Sequence, residues 1–502
     1  MLTMSSNKQY AEYKAHLQKI ADTRYAIAVL QWDQETYMPE KGAGFRAQQV
    51  ATLSEISHEL FTRESFKNTL QDLMAGNELD ETEQKNVSLS WYDYTQQQKL
   101  PGEFVRALSE ATSKSFQAWV SAKKADDFSL FEKDLAGLIE LKKREAGFLG
   151  YEEHPYNALL NQYERGCTVS LLDKVFNALQ QPLKELLNKI TSCKQVDDQF
   201  VTRHYPKEKQ WQFGMDIMKQ LGFDFKAGRQ DIAEHPFTTS FSSEDVRLTT
   251  RIDENDFNSM TWSCIHECGH GLYEQGLPSN FYGLPLGEFT SLSIHESQSR
   301  LWENNVGRSI DCWQHFYPEA QQYFPAQLKD VSLQQFYRGI NKVQPSFIRT
   351  EADELTYHFH VLIRYELEKK LLGGTLQAKD IPAYWNEQYN KLLGVNVPNN
   401  KLGCLQDVHW SHGSFGYFPT YSLGSFYAAQ FFATAQKNIP NLAGAITKGN
   451  FKPLLDWLRI SVHQHGRMFT SEQLCTRITG EPLSIDFFIR YTTDKYKDIY
   501  AF

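Results

Sequence analysis

Two histidines four residues apart, bracketing a glutamate, constrain this chain more than any other feature of its sequence. They are His266 and His270, and Glu267 follows the first of them. Residues i and i+4 lie on one face of a helix, so both imidazoles can bind the same metal ion. Glu267 is rotated by about 100° from His266, so its carboxylate can reach a water on the metal without becoming a ligand. The pattern therefore predicts a helix with the metal chemistry of a zinc peptidase and Glu267 as its general base.

A third metal ligand is expected downstream. The metzincin pattern is excluded, because the positions that would hold its glycine and third histidine are Tyr273 and Gly276. Four glutamates are the remaining candidates: Glu274, Glu288, Glu296 and Glu303. Glu296 is the best of these, since residues 293–303 read as a new helix after a turn and would complete a His₂Glu set with an open fourth position. We predict one divalent ion on His266, His270 and Glu296, with Zn²⁺ as the first choice and Co²⁺ as the second.

Two cysteines, Cys264 and Cys268, lie on the same predicted helix. A structural Cys₂His₂ site is the weaker interpretation, because one helix cannot surround an ion tetrahedrally. The chain has seven cysteines, an odd number without paired spacing. This usage fits reduced thiols better than a disulfide framework.

Composition limits the class of protein. The 502 residues are 41% hydrophobic and 14% aromatic, enough for a large core, and no linker or repeat divides them. We expect one catalytic domain over 1–502, with an N-terminal helical part (1–230), a metal and substrate part (231–430) and C-terminal helices (431–502). The formal charge of −9 argues against a nucleic-acid partner. No segment approaches a membrane span, and the first eight residues lack the apolar core of a signal peptide, so we expect a cytoplasmic location and no membrane partner.

Helical periodicity recurs over most of the chain, which predicts a mostly α fold. The patterned segments before the metal helix are 5–30, 46–61, 81–97, 104–123, 129–149, 171–187 and 207–221. A break is expected over 31–39 and a loop over 151–166. Alternating residues in 235–241 and 245–252 predict two short antiparallel strands beside the metal helix. A strand edge there could hold an extended peptide, although an ordinary hairpin without that role explains the same residues equally well.

Two polar clusters follow Glu296. Arg349 precedes a long helix, and it either pairs with Asp353 four residues later or binds a substrate carboxylate in bidentate fashion. Residues 403–421 combine histidine, tryptophan, tyrosine and glycine. Such donors suit oxyanion stabilisation, although tryptophan and tyrosine with satisfied polar ends are equally good core residues.

Six motifs resemble, in order, those of the carboxypeptidase Taq family of metallocarboxypeptidases. They are His235-Pro236-Phe237, Asp245-x-Arg247-x-Thr249, His266-Glu267-x-x-His270, His295-Glu296-Ser297-Gln298, Ile348-Arg349-x-x-Ala352-Asp353 and Gly403-x-x-Gln406-Asp407-x-His409-Trp410. The stretch from Trp32 to Pro39 is also similar to that family, so the resemblance covers essentially the whole chain. It implies a saddle-shaped helical fold with a deep groove, a homodimer, and removal of C-terminal residues with broad specificity except at proline.

The resemblance also implies roles for particular side chains. His412 and Tyr421 would stabilise the oxyanion, with Tyr417 in reserve. Arg349 would bind the free C-terminal carboxylate of the peptide. Its expected helpers in substrate binding are Gln406, His409 and Arg247.

Two alternatives stay open. An oligo- or endopeptidase would use the same metal site without binding a terminal carboxylate. A non-catalytic helical scaffold could hold a structural zinc, although Glu267 counts against it because a structural site needs no base and is closed by a fourth protein ligand.

Overall fold

Helices dominate the structure, a computed structural model that describes residues 6–502. Residues 1–5, on which the expectation about a signal peptide partly rests, lie outside the described residues. None of the helices in the described part combines the length and apolar composition needed to cross a bilayer. The helices before the sheet are α1 (Ser6–Thr36), α2 (Ala43–Thr62), α3 (Glu64–Ala75), α4 (Glu81–Gln98), α5 (Gly102–Ala125), α6 (Ser129–Leu149), α7 (Tyr156–Tyr163), α8 (Val169–Ser192) and α9 (Lys207–Leu221).

A small sheet separates this half of the chain from the second set of helices. Its strands are β1 (Gly228–Ile232), β2 (Thr238–Ser242) and β3 (Asp245–Thr250). The helices after it are α10 (Phe257–Glu274), α11 (Leu292–Arg300), α12 (Ile310–Tyr323), α13 (Pro325–Leu328), α14 (Leu333–Gly339), α15 (Tyr357–Leu372), α16 (Ile381–Leu393), α17 (Phe418–Asn438), α18 (Leu442–Thr447), α19 (Lys452–Ser461), α20 (Ser471–Thr479) and α21 (Asp486–Tyr500). The mostly helical fold with a small sheet beside the metal helix is confirmed.

Two local predictions about the first half were wrong. The expected break over 31–39 begins only after Thr36, because α1 continues through Trp32, whose buried ring lies against Arg247 of β3. The expected loop over 151–166 contains α7, whose Tyr156 and Leu159 are fully buried in the core. In both places tertiary packing extends helical structure beyond what the local pattern indicates.

The sheet has the order β1-β3-β2. The predicted antiparallel pair is present, with Thr239 opposite Arg247. The structure adds β1, which pairs parallel to β3 with Gln230 opposite Leu248. Strand β1 escaped the sequence analysis because Gly228–Ile232 carries a single apolar residue and no alternation.

Close helix packing brings the metal helices together. A Cβ atom at Gly269 of α10 would lie only 2.6 Å from the Cα atom of Ser299, and one at Gly424 of α17 would lie 2.5 Å from Cγ of Glu296. Real Cβ atoms do not approach other atoms so closely, so both positions require glycine. Helices α10 and α17 can therefore lie directly against α11.

Buried apolar side chains form two clusters. The larger one includes Cys264 and Leu272 of α10 and Ile294 of α11, so the metal helices are embedded in it. The smaller one joins α1, α3 and α4 and includes Ile20. Members of both clusters line the large cavity described below.

Candidate metal centre and active site

Helices α10 and α11 each start at a capped residue and present the predicted ligands to one point. The Asp256 side chain accepts a hydrogen bond from the backbone of Asn258 at the start of α10. The ligand atoms of His266, His270 and Glu296 all lie within 4.8 Å of one another. Among the described residues they form the group whose geometry suits a metal ion.

The donor set fits a small divalent cation. Glu296 Oε2 lies 3.8 Å from Nε2 of His266 and 3.5 Å from Nε2 of His270. Tetrahedral ligands at zinc bond lengths are separated from each other by about 3.4 Å, close to both distances. Two imidazole nitrogens and one carboxylate oxygen leave a fourth position open, as a catalytic zinc site requires.

Glu303 holds His266 in the orientation that ligation needs. Its Oε2 atom accepts a hydrogen bond from Nδ1 of His266 over 2.8 Å, which leaves Nε2 directed at Glu296. Arg300 donates to Glu296 over 2.7 Å and to Glu303 over 3.0 Å, so one guanidinium ties the two carboxylates together. Partners of this kind fix the ring and tautomer of a ligating histidine.

His295 does the same for His270. The two rings face each other through their Nδ1 atoms at 2.6 Å, and Nε2 of His295 lies 2.7 Å from Oε1 of Glu274. A carboxylate only accepts, so His295 carries its proton on Nε2 and accepts from His270 at Nδ1. His270 is then protonated on Nδ1, and its Nε2 lone pair is free for a metal.

The charges around Glu296 keep its carboxylate ionised. Burial alone would raise the pKa of Glu296, but the charges of Arg300 and His266 outweigh it and hold that pKa well below its usual range. Burial, followed by the neighbouring His295, lowers the pKa of His270 to about 3. An anionic carboxylate and a neutral imidazole are the protonation states that a metal ligand set needs.

Glu267 lies beside the ligand set and is almost completely buried, with 7% of its surface exposed. Burial raises the pKa of Glu267, although the His266 charge and a hydrogen bond from Thr238 oppose that rise. Thr238 belongs to β2, and its hydroxyl donates to the Glu267 carboxylate over 2.6 Å. The carboxylate is therefore anchored to the sheet and is more basic than an exposed one.

A cavity of about 1390 Å³ opens onto the ligand set. Its floor includes His266, Glu267, His270 and Glu296. Its other walls come from α1, α2, α4, α7, β2 and the start of α17. The site therefore lies at the bottom of a space large enough for several residues of an extended peptide.

Tyr417 and Tyr421 are the predicted donors that line this cavity. The structure does not bring His412 there: it is exposed in a short 3-10 turn, and its ring lies 5.0 Å from that of Phe116. His409 contacts the site indirectly, with Nε2 3.3 Å from the Tyr421 hydroxyl. The tyrosines are thus the donors placed to reach a group bound at the metal site.

Arg349 lies behind Tyr421, with its guanidinium carbon 4.8 Å from the centre of that ring. It is buried, and its Nε and Nη2 atoms donate to Asp407 over 3.1 and 3.0 Å. Its Nη1 atom donates to the Tyr357 hydroxyl over 2.9 Å. A guanidinium has five N–H bonds, so one on each terminal nitrogen remains for a further acceptor.

The alternative pairing of Arg349 with Asp353 was wrong. Asp353 accepts hydrogen bonds from the backbone of Leu355 and Thr356, each over 2.9 Å, in the turn that precedes α15. Arg349 lies in a separate 3-10 turn before that helix, so the two residues do not share a helical face. Its carboxylate partner, Asp407, comes from the other polar cluster.

Gln406 and Arg364 complete this buried network. The Gln406 side chain accepts from the backbone of Arg349 over 2.9 Å and from Arg364 over 2.8 Å. Arg364 also donates to the second carboxylate oxygen of Asp407 over 2.7 Å. Gln406 therefore fixes the backbone of Arg349 and does not itself line the cavity.

Arg247 lies away from the metal. It pairs with Asp245, and its guanidinium lies 4.5 Å from the Trp32 ring and 4.8 Å from the Phe241 ring. Arg247 is not among the residues that line the cavity. It joins α1 to the sheet that carries Thr238.

Cys264 and Cys268 point into the core, away from the ligand set. Both are fully buried, and burial raises the pKa of Cys264 to about 12. They therefore contribute packing and not ligation. All seven cysteines of the chain are free thiols.

Glu368 is a buried carboxyl group that the sequence analysis did not identify. It accepts hydrogen bonds from Trp410 over 2.8 Å, from the backbone of Gly416 over 2.9 Å and from the Tyr156 hydroxyl. These bonds hold the loop that carries His409 and His412 at Trp410 and at Gly416. Burial raises the pKa of Glu368 to about 7.

Some of the residues that hydrogen-bond to the predicted site residues can be recognised from their spacing in the sequence, and others cannot. Glu274 follows His270 by four residues and Glu303 follows Glu296 by seven, so helical spacing places each on the ligand face. Both are candidate ligands by sequence, and the structure makes them hydrogen-bond partners of His295 and His266. Thr238 and Glu368 had no such signal, because they come from a strand and a distant helix.

Comparisons with known proteins agree over nearly the whole chain. A family model described as carboxypeptidase Taq (M32) metallopeptidase matches residues 12–496. Carboxypeptidase 1 of Bacillus subtilis is 39% identical over 486 residues, which cover 96% of this chain and 97% of that relative. The crystal structure of an M32 carboxypeptidase from Deinococcus radiodurans is 35% identical with a TM-score of 0.97, covering 99% of this chain and 100% of that one. A solved structure described as that of CHT is 58% identical with a TM-score of 0.96, and the match covers 97% of this chain and 99% of that one.

Proposed function

Because the chain belongs to the carboxypeptidase Taq (M32) family, it is a metal-dependent carboxypeptidase acting on peptides, and we propose that His266, His270, Glu296 and Glu267 carry its chemistry. The observation that supports this most is the convergence of three ligand atoms within 4.8 Å at the floor of a large cavity. Glu267, a carboxylate beside the ligands that no histidine holds, is then available as a base.

We assign the metal as Zn²⁺, with Co²⁺ as a functional substitute. Two imidazoles and one carboxylate are ligands that zinc accepts in catalytic sites. When bound, Zn²⁺ polarises the scissile carbonyl and supplies a water whose pKa is lowered towards neutrality. Glu303 and His295 keep both histidine Nε2 atoms directed at the ion.

Glu267 is the general base. Its carboxylate accepts a proton from the attacking water and then donates that proton to the leaving amine. Its raised pKa favours the first transfer, and the hydrogen bond from Thr238 keeps the carboxylate in place for both.

Tyr421 and Tyr417 stabilise the developing oxyanion as hydroxyl donors. Burial raises the pKa of each, so both keep their protons at neutral pH and can donate. His412 remains a predicted catalytic residue that would reach the site only if residues 409–416 moved towards the cavity.

Arg349 binds the C-terminal carboxylate of the peptide. Two unused N–H bonds on its terminal nitrogens suit a bidentate carboxylate, while Asp407 and Tyr357 hold the guanidinium in place. Gln406 and His409 act through Arg349 and Tyr421, and Arg247 supports the sheet. Because Tyr421 lies between Arg349 and the cavity, its ring must shift when the carboxylate binds.

A matched pair of substrates tests this function. An N-blocked dipeptide with a free C-terminal carboxylate should be hydrolysed by the metal-loaded protein, and the same dipeptide with a C-terminal amide should be a poor substrate. Equal rates on both would point to an oligo- or endopeptidase, which needs no carboxylate clamp. No hydrolysis of either by metal-loaded protein would reject the peptidase assignment.

We also propose that the whole chain acts as one catalytic domain, as a homodimer in the cytoplasm, with broad specificity for the C-terminal residue. The homodimer and the broad specificity rest on the sequence resemblance. Seven free thiols fit a reducing compartment. Light scattering on the purified protein gives its oligomeric state directly.

A further inference from the structure

The cavity continues beyond the metal ligands to a second group of charged side chains. Arg165, Arg467, Asp93 and Glu288 line this part. In that order, they come from the segment after α7, the segment before α20, helix α4 and the segment before α11. None of them has a role in the chemistry assigned above.

All but one of these charges are paired. Arg467 donates to both carboxylate oxygens of Asp93, over 2.6 and 2.7 Å, and to Glu288 over 3.4 Å. Arg24, at the edge of the same cavity, lies 3.3 Å from Glu288. Among the described arginines and lysines that line the cavity, Arg165 is the one that makes no ion pair or hydrogen bond, although the charges of Asp93 and Glu164 act on it from a longer distance.

Arg165 is half-buried, and its surroundings are unfavourable for an unpaired cation. Burial and then the charge of Arg467 lower the pKa of Arg165, against smaller opposing effects of Tyr92, Asp93 and Glu164. Removing a charge from water without pairing it costs free energy. An anionic group that entered the cavity would recover part of that cost.

Helix α11 shows on which side of the metal site this cation lies. Glu164, the neighbour of Arg165, accepts a hydrogen bond from the backbone of Ser293 at the start of α11. At the other end of α11, Arg300 lies 4.7 Å from the ring of Tyr357, whose hydroxyl binds Arg349. Glu296 lies between these ends, so Arg165 and Arg349 flank the metal ligands on opposite sides.

A peptide whose C-terminal carboxylate binds Arg349 therefore runs past the metal ligands towards Arg165. Ser293 and Glu296 are separated by about 4.5 Å along the helix axis, at 1.5 Å per residue. The side chains of Glu164 and Arg165 add to this separation, so an extended chain of a few residues, at about 3.3 Å each, is needed to span from the metal ligands to the guanidinium of Arg165.

We propose that Arg165 is a specificity-determining residue that binds the acidic side chain of a substrate residue about two to four positions upstream of the scissile bond. The carboxylate of aspartate or glutamate offers the bidentate acceptor that a guanidinium prefers. The paired carboxylates of Asp93 and Glu288 do not compete, because Arg467 and Arg24 already hold them. This inference rests on the proposed binding of the terminal carboxylate by Arg349, which sets the direction of the peptide.

A position scan tests it. The parent substrate is an N-blocked hexapeptide of five alanines followed by a C-terminal phenylalanine. In each test peptide, one of the four residues before the phenylalanine is replaced by Glu, Gln or Lys. Specificity constants are measured for metal-loaded protein at low ionic strength. At one or two adjacent positions Glu should exceed Gln by about three- to five-fold, as expected of a partly exposed charge pair, and Lys should fall below Gln. Added salt should reduce the preference.

Variants assign the preference to one residue. Arg165→Gln should bring the Glu-to-Gln ratio close to one, and Arg165→Lys should keep part of it. Arg106→Gln, a change at an exposed arginine outside the cavity, should keep all of it. A ratio near one at every position in the unchanged protein, or a ratio that survives Arg165→Gln, overturns the proposal. If Arg165→Gln does not fold, the rates on the Glu, Gln and Lys peptides are compared between the unchanged protein and Arg165→Lys. An unchanged Glu preference in Arg165→Lys, or none in the unchanged protein, then overturns the proposal.

The same experiment separates this inference from the proposed function. Release of phenylalanine from the neutral alanine peptide tests the carboxypeptidase activity and does not depend on Arg165. Failure there would count against the proposed function, whereas a missing Glu preference alone would count against Arg165.

Discussion

His295 and His270 face each other through their Nδ1 atoms at 2.6 Å. Since Glu274 accepts a hydrogen bond from the other nitrogen of His295, His295 must accept a hydrogen bond from His270 at Nδ1, and Nε2 of His270 is left for the metal. His295→Phe removes that acceptor, so we expect metal affinity to fall by about 10- to 100-fold. His295→Gln, which keeps an acceptor oxygen, should lose less. Competition with a coloured chelator measures the dissociation constant of the metal for each protein. His204→Gln, a change at an exposed histidine, is the control. Equal affinity in the unchanged protein and all three variants would show that His295 does not orient His270 for the metal.

Three protein ligands predict one divalent ion per chain. We expect elemental analysis to find one bound ion and chelation to abolish peptide hydrolysis reversibly, with Zn²⁺ or Co²⁺ restoring it. His266→Ala and His270→Ala should each lose most of the bound ion. Full activity in a verified metal-free preparation would reject the metal site.

Glu267→Gln keeps the size of the side chain and removes its ability to accept a proton. Turnover should fall by about two orders of magnitude or more while the metal stays bound. Steady-state rates and metal content are measured on the same preparation, with Glu254→Gln as a control at an exposed glutamate. Normal turnover by the metal-loaded variant would assign the base to another group.

Arg349 variants test recognition of the terminal carboxylate. Asp407 remains paired with Arg364 when Arg349 is removed, so Arg349→Ala should fold and keep its metal. The preference for free-acid over amidated peptides should fall by about 10- to 100-fold in Arg349→Ala and by less in Arg349→Lys, which keeps the charge and loses the fork. An unchanged preference ratio, measured beside the thermal midpoint, would mean that Arg349 has only a structural role.

Glu368 should make the stability of the protein depend on pH. Its pKa in the folded protein is raised to about 7 from the ordinary value of 4.5. The folded state therefore binds the proton more tightly, and the resulting stabilisation is complete below about pH 4.5 and is lost as the pH rises through 7. The change amounts to at most about 3 kcal/mol.

Glu368→Gln should remove this dependence. Thermal midpoints from pH 4.5 to 8 are compared for the unchanged protein, Glu368→Gln and Glu140→Gln, an exposed control. Relative to the control, Glu368→Gln should gain stability as the pH rises. Parallel curves for all three proteins would show that Glu368 does not titrate in this range.

The sequence by itself determined the elements of the proposed metal centre that depend on helix geometry. His266, Glu267 and His270 are placed by the period of a single helix, and Glu296 by a second helix that starts after a clear turn. The two strands before the metal helix were also readable, because alternation marks a strand with one buried face. These features are local, so the order of residues is enough to predict them.

Only the tertiary structure decided which side chains support that centre. Asp407 binds Arg349 from 58 positions away along the chain. His295 is not recognisable from the sequence as the partner of His270. His412, which the sequence predicts to be catalytic, lies outside the cavity. Strand β1 exists because β3 offers it a hydrogen-bonding edge. Such contacts depend on how helices and loops distant in sequence pack together, and the local periodicity of the chain carries no information about that packing.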